Sequence, residues 1–149
     1  MDIKQMLREY NTYTSRIQEL NQRINDALNY KIDCDALKAQ RINGLPRGTG
    51  ISDPTYEAVQ KIIDKYDRNI REMAEEVNRL IDCKNAVDKA LKTLTWTEYR
   101  LIELHYFCGM SWERVAVRVN YNISHVWRLH GQALAKMRKA LENIKHDRL

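Results

Sequence analysis

Residues able to do chemistry are few in this chain, and their spacing suits little of it. Cys34, Cys83 and Cys108 lie far apart without a C-x-x-C pair. An odd number at such spacings fits neither a disulfide framework nor a zinc site, so a reduced, cytoplasmic protein is expected. His105 and Cys108 stand three apart on an expected helix and offer half of a metal site. No second pair has ligand spacing, since His125 and His130 are five apart, and four ligands are the usual requirement. A buried thiol and a core or surface histidine are the plainer readings. No Ser/His/Asp or Cys/His constellation is present, and the Gly- and Pro-rich stretch around Gly44–Pro54 lacks the G-K-[ST] ending of a phosphate loop. The expectation is therefore no catalytic residue, no metal, no cofactor and no enzyme.

Charge is the more informative chemistry. Of 149 residues, 25 are Lys or Arg and 20 Asp or Glu, and the net charge is +5. Residues 95–149 carry nine basic and five acidic residues with all four histidines, whereas residues 1–94 carry sixteen and fifteen. A basic excess gathered in the last third points to a polyanion, nucleic acid first, against the plain alternative of a solvated face. No run of 18 apolar residues exists for a membrane span. Met1-Asp2-Ile3-Lys4 lacks the apolar start of a secretion signal.

The last third reads as short helices with explicit starts. Thr95-Trp96-Thr97-Glu98 is a capping box that opens a helix through Phe107. Gly109 suits a left-handed turn, Ser111 caps a helix over 112–119, and Asn122 caps a longer one from Ile123 to about Lys145. Val126, Leu129, Ala133, Met137 and Leu141 form its inward stripe. The opposite face then carries Ile123, Ser124, His125, Trp127, Arg128, Gly131 and Gln132, with Lys136, Arg138 and Lys139 further along. Short helix, tight turn and basic second helix make a helix-turn-helix arrangement.

The first two-thirds must position that unit. Ile3, Tyr10, Ile17 and Ile24 recur every seven residues, and Met6, Tyr13, Leu20 and Ala27 fill the interleaved row. This 3-4 seam packs helices side by side. It weakens at Lys31, with a bend possible at Asn29-Tyr30 and helix resuming over 36–39. Three of five glycines and both prolines fall within 41–54 and mark a loop over 41–53, and Asp53 with Pro54 suits a helix start. Val59, Tyr66, Met73, Leu80, Val87 and Leu94 form a second seam with Ile63, Ile70, Val77 and Leu91, broken by Lys84. Such stripes are core before they are ligand contacts. Matched lengths favour an antiparallel hairpin, closed within one chain or between two as a homodimer. The expected fold is thus all-α: a long two-helix antiparallel coiled-coil hairpin (1–94, helices about 2–39 and 54–93) followed by a three-helix domain (95–149).

The run Leu94…Glu98…Ile102-x-Leu104-x-Tyr106-Phe107-x-Gly109-x-Ser111-Trp112-Glu113-x-Val115-Ala116, continued by Val119…Asn122…Val126…Ala133…Met137, resembles region 4 of bacterial sigma factors. Over nearly its whole length the chain resembles phage-encoded regulators of the RinA/ArpU type, on Leu37-Lys38-Ala39-Gln40…Leu45-Pro46-Arg47-Gly48…Ser52-Asp53-Pro54 and on Ser124–Leu134. Asn122 stands where sigma-type sequences place Ser or Thr, and no promoter-melting region is recognisable.

The resemblance implies a sequence-specific DNA-binding regulator, a late-gene activator of a phage or prophage working with host RNA polymerase. It also implies that the first turns of the last helix enter the major groove of double-stranded DNA. There Arg128 can make two hydrogen bonds to guanine and Gln132 can pair with adenine. Ser124 and His125 can reach a base or a phosphate, Trp127 a thymine methyl, and Lys136 a phosphate. Two other readings stay open: a phage packaging protein of the small-terminase type, and a helical interaction protein without DNA binding.

Overall fold

The computed structural model describes residues 2–44 and 54–147. Its described residues form α1 (Ile3–Gly44), α2 (Pro54–Leu91), α3 (Trp96–Ile102), a π-helical turn (Glu103–Phe107), α4 (Trp112–Val119) and α5 (Ile123–His146), with no strand. The fold is all-helical, as expected. Some boundaries differ. α1 runs unbroken through Asn29-Tyr30 and on to Gly44, so the loop does not begin at residue 41. α2 stops at Leu91 instead of 93. Pro54 takes the first helical position, where its missing N–H costs nothing. The rest of the expected loop and the Asp53 cap lie outside the described residues.

Contacts divide the chain into two units, Met1–Ser15 with Leu80–Leu149, and Arg16–Arg79. In the second unit the interleaved row of α1 is buried at Leu20, Ala27 and Cys34, and α2 contributes Ile63 and Val77. The Tyr30 and Tyr66 rings lie 4.7 Å apart. Lys31, at the weak point of the seam, puts Nζ 2.6 Å from Asp67 Oδ1.

In the first unit, Ile3, Met6 and Leu7 of α1 share one buried cluster with Val87, Ala90 and Leu91 of α2, Ile102 of α3, and Ala133, Leu134 and Met137 of α5. The packing boundary therefore does not fall at residue 94. A stripe of seven-spaced apolar residues cannot reveal that its first two turns also meet α5. Full burial of one such side chain is worth about 1.5–3 kcal/mol, so this shared cluster welds the start of α1 to the C-terminal third. Lys84, which breaks the second seam, bonds Asp88 Oδ2 at 3.0 Å and lies over the Tyr10 ring. Tyr10 Oη donates to Asp88 Oδ1 at 2.5 Å, and burial with that bond pushes its pKa up to about 12. The buried Tyr13 hydroxyl has no hydrogen-bond partner among the described residues.

Candidate nucleic-acid interface

Each helix of the C-terminal third starts where its side chains supply a cap. Thr95 Oγ1 accepts from the Glu98 N–H, and Glu98 Oε2 accepts from the Thr95 N–H at 3.0 Å. Ser111 Oγ accepts from the Arg114 N–H, and Asn122 Oδ1 accepts from the His125 N–H at 2.8 Å. Asn does here what a hydroxyl does in other caps, because its side-chain oxygen reaches the same orphan donor. Gly109 at φ +72° and Asn120 at φ 60° take left-handed turns, where Gly is free of a Cβ and Asn is tolerated.

The turn Asn120–Asn122 directs α5 across α4. A second core, made of Leu101, Leu104, Val115, Ala116 and Val126, lies beneath it. Between α3 and α4 the chain widens instead of continuing as simple α-helix. The Cys108 N–H reaches back to Glu103 O at 2.9 Å, the five-residue span of a π turn. Asn11 Nδ2 donates to Phe107 O at 2.9 Å, and the Phe107 ring stacks on Tyr10 at 4.7 Å.

With Val126, Ala133 and Met137 fully buried, the outer face of α5 is fixed. Ser124, Trp127, Arg128, Gly131 and Gln132 are exposed, Trp127 by 55%. No atom lies within 4 Å of where a Cβ on Gly131 would sit, so the backbone is open to approach there. His125 is half-buried. The Arg128 guanidinium donates to its Nδ1 at 2.7 Å, so that nitrogen carries no proton, and the Tyr121 ring packs edge-on against the imidazole at 4.7 Å. The predicted face is thus brought together at Ser124, Trp127, Arg128 and Gln132, with His125 bound to one of them.

Two predicted contacts are placed differently. Ile123 is half-buried and packs on the second core, because the first turn of α5 leans on α4. Lys136 is committed: its Nζ lies 2.8 and 2.9 Å from the two oxygens of Glu98, a residue only 3% exposed. Leu129, expected inward, is half-buried against the second core.

Arg114 and Arg118 lie outside the face expected from the sequence. They are exposed one turn apart on α4, opposite buried Val115 and Ala116. Their spacing against that apolar pair was the available signal. With Arg128 they put three guanidinium groups on the outer surfaces of α4 and α5, and guanidinium forks suit phosphate and base edges alike.

His105 and Cys108, the pair expected to offer half of a metal site, stand in different surroundings. His105 Nδ1 donates to Met110 O at 2.8 Å while its ring stacks on Trp112 at 3.8 Å. Cys108 is exposed. Among the described residues no group of three or more His, Cys, Asp or Glu can hold a metal. Behind the face, His130 is hydrogen-bonded to Tyr106 Oη at 3.0 Å. Burial, with the charges of Lys4, His105 and Arg138, pushes its pKa down to about 4. No described helix is long and apolar enough to cross a membrane.

Comparison with curated proteins and with solved structures gives no match. The family model described as "Protein of unknown function (DUF722)" matches residues 2–139, nearly the whole chain, and the protein belongs to that family.

Proposed function

We propose that this protein is a sequence-specific DNA-binding transcriptional regulator, with α4 and α5 as a helix-turn-helix whose second helix reads the major groove. One observation carries the reading. Three side chains able to hydrogen-bond base edges (Ser124, Arg128 and Gln132) are exposed on the first turns of a capped helix whose other face is fully buried at Val126, Ala133 and Met137. The basic excess of residues 95–149 and the exposed Arg114 and Arg118 supply the phosphate attraction that such binding needs. The resemblance to sigma region 4 and to the RinA/ArpU regulators favours an activator of phage late genes working with host RNA polymerase. In the same reading α1 and α2 are an antiparallel hairpin. Within one unit the Tyr30–Tyr66 and Lys31–Asp67 pairs support it, and within the other the Tyr10–Asp88 bond does.

The test is titration of the full-length chain against a duplex selected by it from a random pool, and against a scrambled duplex. Arg128→Ala is expected to cost about 1–3 kcal/mol on the selected duplex and to relax preference at one base pair. An unchanged ratio between the two duplexes removes Arg128 from the reading face. Absence of any salt-sensitive DNA binding by the wild type removes the proposal, and a ring of many copies on sedimentation replaces it with a packaging role.

A further inference from the structure

Three cations stand beside α5 and come from two different helices. Ile3, Met6 and Leu7 are buried with Ala133, Leu134 and Met137, so the first turns of α1 are held rigidly along the second half of α5. Lys4 and Arg8 lie one turn apart on that stretch of α1, Lys4 half-buried and Arg8 exposed. Neither takes part in the ion pairs seen among the described residues. Arg138 of α5 is 55% exposed, and its acidic neighbour, Asp2, sits 4.0 Å away and is itself 60% exposed. A pair so wet and so long contributes little and leaves Arg138 available.

The packing of Ile3 and Leu7 on Ala133, Leu134 and Met137, with Asp2 at 4.0 Å from Arg138, sets this stretch of α1 beside the stretch of α5 that carries Arg138. The charges of Lys4 and Arg138 both act on His130, and those of Arg8 and Arg138 both act on Tyr106, with Asp2 acting in the opposite sense there. Tyr106 and His130 are joined by the 3.0 Å hydrogen bond. His130 is one helical turn beyond Trp127, on the flank of the exposed face.

We propose that Lys4 and Arg8 of α1, together with Arg138 of α5, grip the phosphate backbone of the same duplex whose bases α5 reads, which makes the N-terminal helix part of the DNA interface. The inference rests on the DNA-binding reading above. Its occupant follows from charge and continuity. Each DNA strand presents one negative charge per ~3.4 Å of helix axis, and residues one turn apart on a helix stand ~5–6 Å apart, so Lys4 and Arg8 can meet neighbouring phosphates. Contacts of this kind fix register and add affinity without reading sequence.

The experiment uses the full-length chain and the selected and scrambled duplexes over a series of salt concentrations. The proteins are wild type, the double variant Lys4→Gln/Arg8→Gln, the charge-retaining double variant Lys4→Arg/Arg8→Lys, and Arg68→Gln/Arg71→Gln, which removes two exposed charges from the middle of α2. The slope of log K against log salt is expected to fall by about two for Lys4→Gln/Arg8→Gln, roughly 0.9 per phosphate contact. Both duplexes should weaken by the same factor, so their ratio stays at the wild-type value. The charge-retaining variant should keep the wild-type slope, which separates charge from folding, and the α2 variant should do the same. A wild-type slope in Lys4→Gln/Arg8→Gln overturns the inference while leaving the DNA-binding reading intact. So does an equal fall in the α2 variant, which reports net charge alone. Absence of salt-sensitive binding by the wild type overturns both.

Discussion

Lys136 and Glu98, 38 residues apart, form a two-point ion pair, with Nζ 2.8 and 2.9 Å from the carboxylate oxygens. The carboxylate is almost fully buried and also accepts from the Thr95 N–H that opens α3. One lysine on α5 thus holds the start of α3. Burial pushes the Glu98 carboxyl up, but the bonds from Lys136 and Thr95 and the lysine charge outweigh it, and the net pKa is lowered.

Lys136→Met is therefore expected to act on stability. It leaves a buried carboxylate with its cap bond alone, a loss of about 1.5–3 kcal/mol for hydrogen bonds to a charged group. The double variant Lys136→Met/Glu98→Gln should recover part of the loss, because no charge is then stranded. Since the folded carboxyl lies below its unfolded value, its contribution is complete above the usual carboxylate range. It is lost as pH falls through the folded value. Urea unfolding at several pH values should show a flatter acid limb for Lys136→Met, and equal stability of wild type and variant at neutral pH contradicts the structural role.

Arg128 and His125 give a second expectation. The imidazole Nδ1 accepts from the guanidinium at 2.7 Å, which holds a flexible side chain in one orientation; under the proposed DNA-binding reading this reduces the ordering cost of base contact. His125→Ala should narrow the difference between selected and scrambled duplexes by about 0.5–1.5 kcal/mol, the usual net worth of a hydrogen bond. His125→Asn keeps an acceptor at the matching position and should restore part of the preference. If both variants lose it equally, the imidazole touches DNA itself and does not position Arg128.

His130 sets an acid sensitivity of its own. Its folded pKa of about 4 lies below the ordinary ~6.5, so between those values the unfolded chain binds a proton that the folded chain refuses. Stability should therefore fall as pH drops from ~6.5 toward 4 and stop falling from this cause below that. His130→Gln retains a partner for Tyr106 Oη without the titration. Its melting temperature should change less across this window than that of the wild type, and identical profiles exclude His130 as the source.

Local signals were the legible ones. Thr95-x-x-Glu98, Ser111, Gly109 and Asn122 mark helix ends by caps and turns that involve neighbours in sequence, and all four operate in the structure. The row Met6, Tyr13, Leu20 and Ala27 is buried as its period indicates, and Cys34 extends it one further heptad. That step was hidden because the companion position, Lys31, is charged and finds Asp67 across the unit. Distant partners were not legible. Periodicity sets Lys136 toward solvent but says nothing of Glu98. The π turn at Glu103–Phe107 rotates Phe107 onto Tyr10 through contacts from α1, and no pattern within residues 95–107 encodes them.

The shared core gives the last expectation. Leu7 is fully buried in one cluster with Ile102 and Met137, so the C-terminal third owes part of its stability to a residue near the start of the chain. The three tryptophans, Trp96, Trp112 and Trp127, all lie in residues 95–149, which makes tryptophan fluorescence a reporter of that third alone. Leu7→Ala should lower the fluorescence-detected stability by about 2–5 kcal/mol, the range for truncating a buried leucine. Leu20→Ala, in the other unit, should cost far less by the same probe unless the whole chain unfolds as one transition, in which case both variants shift it. A fragment of residues 95–149 lacks the α1 and α2 side of the cluster and should show weak helicity and a broad melt. A fragment that melts as sharply as the full chain, with Leu7→Ala silent in fluorescence, would establish 95–149 as an independent domain and reduce the contact with α1 to a passive one.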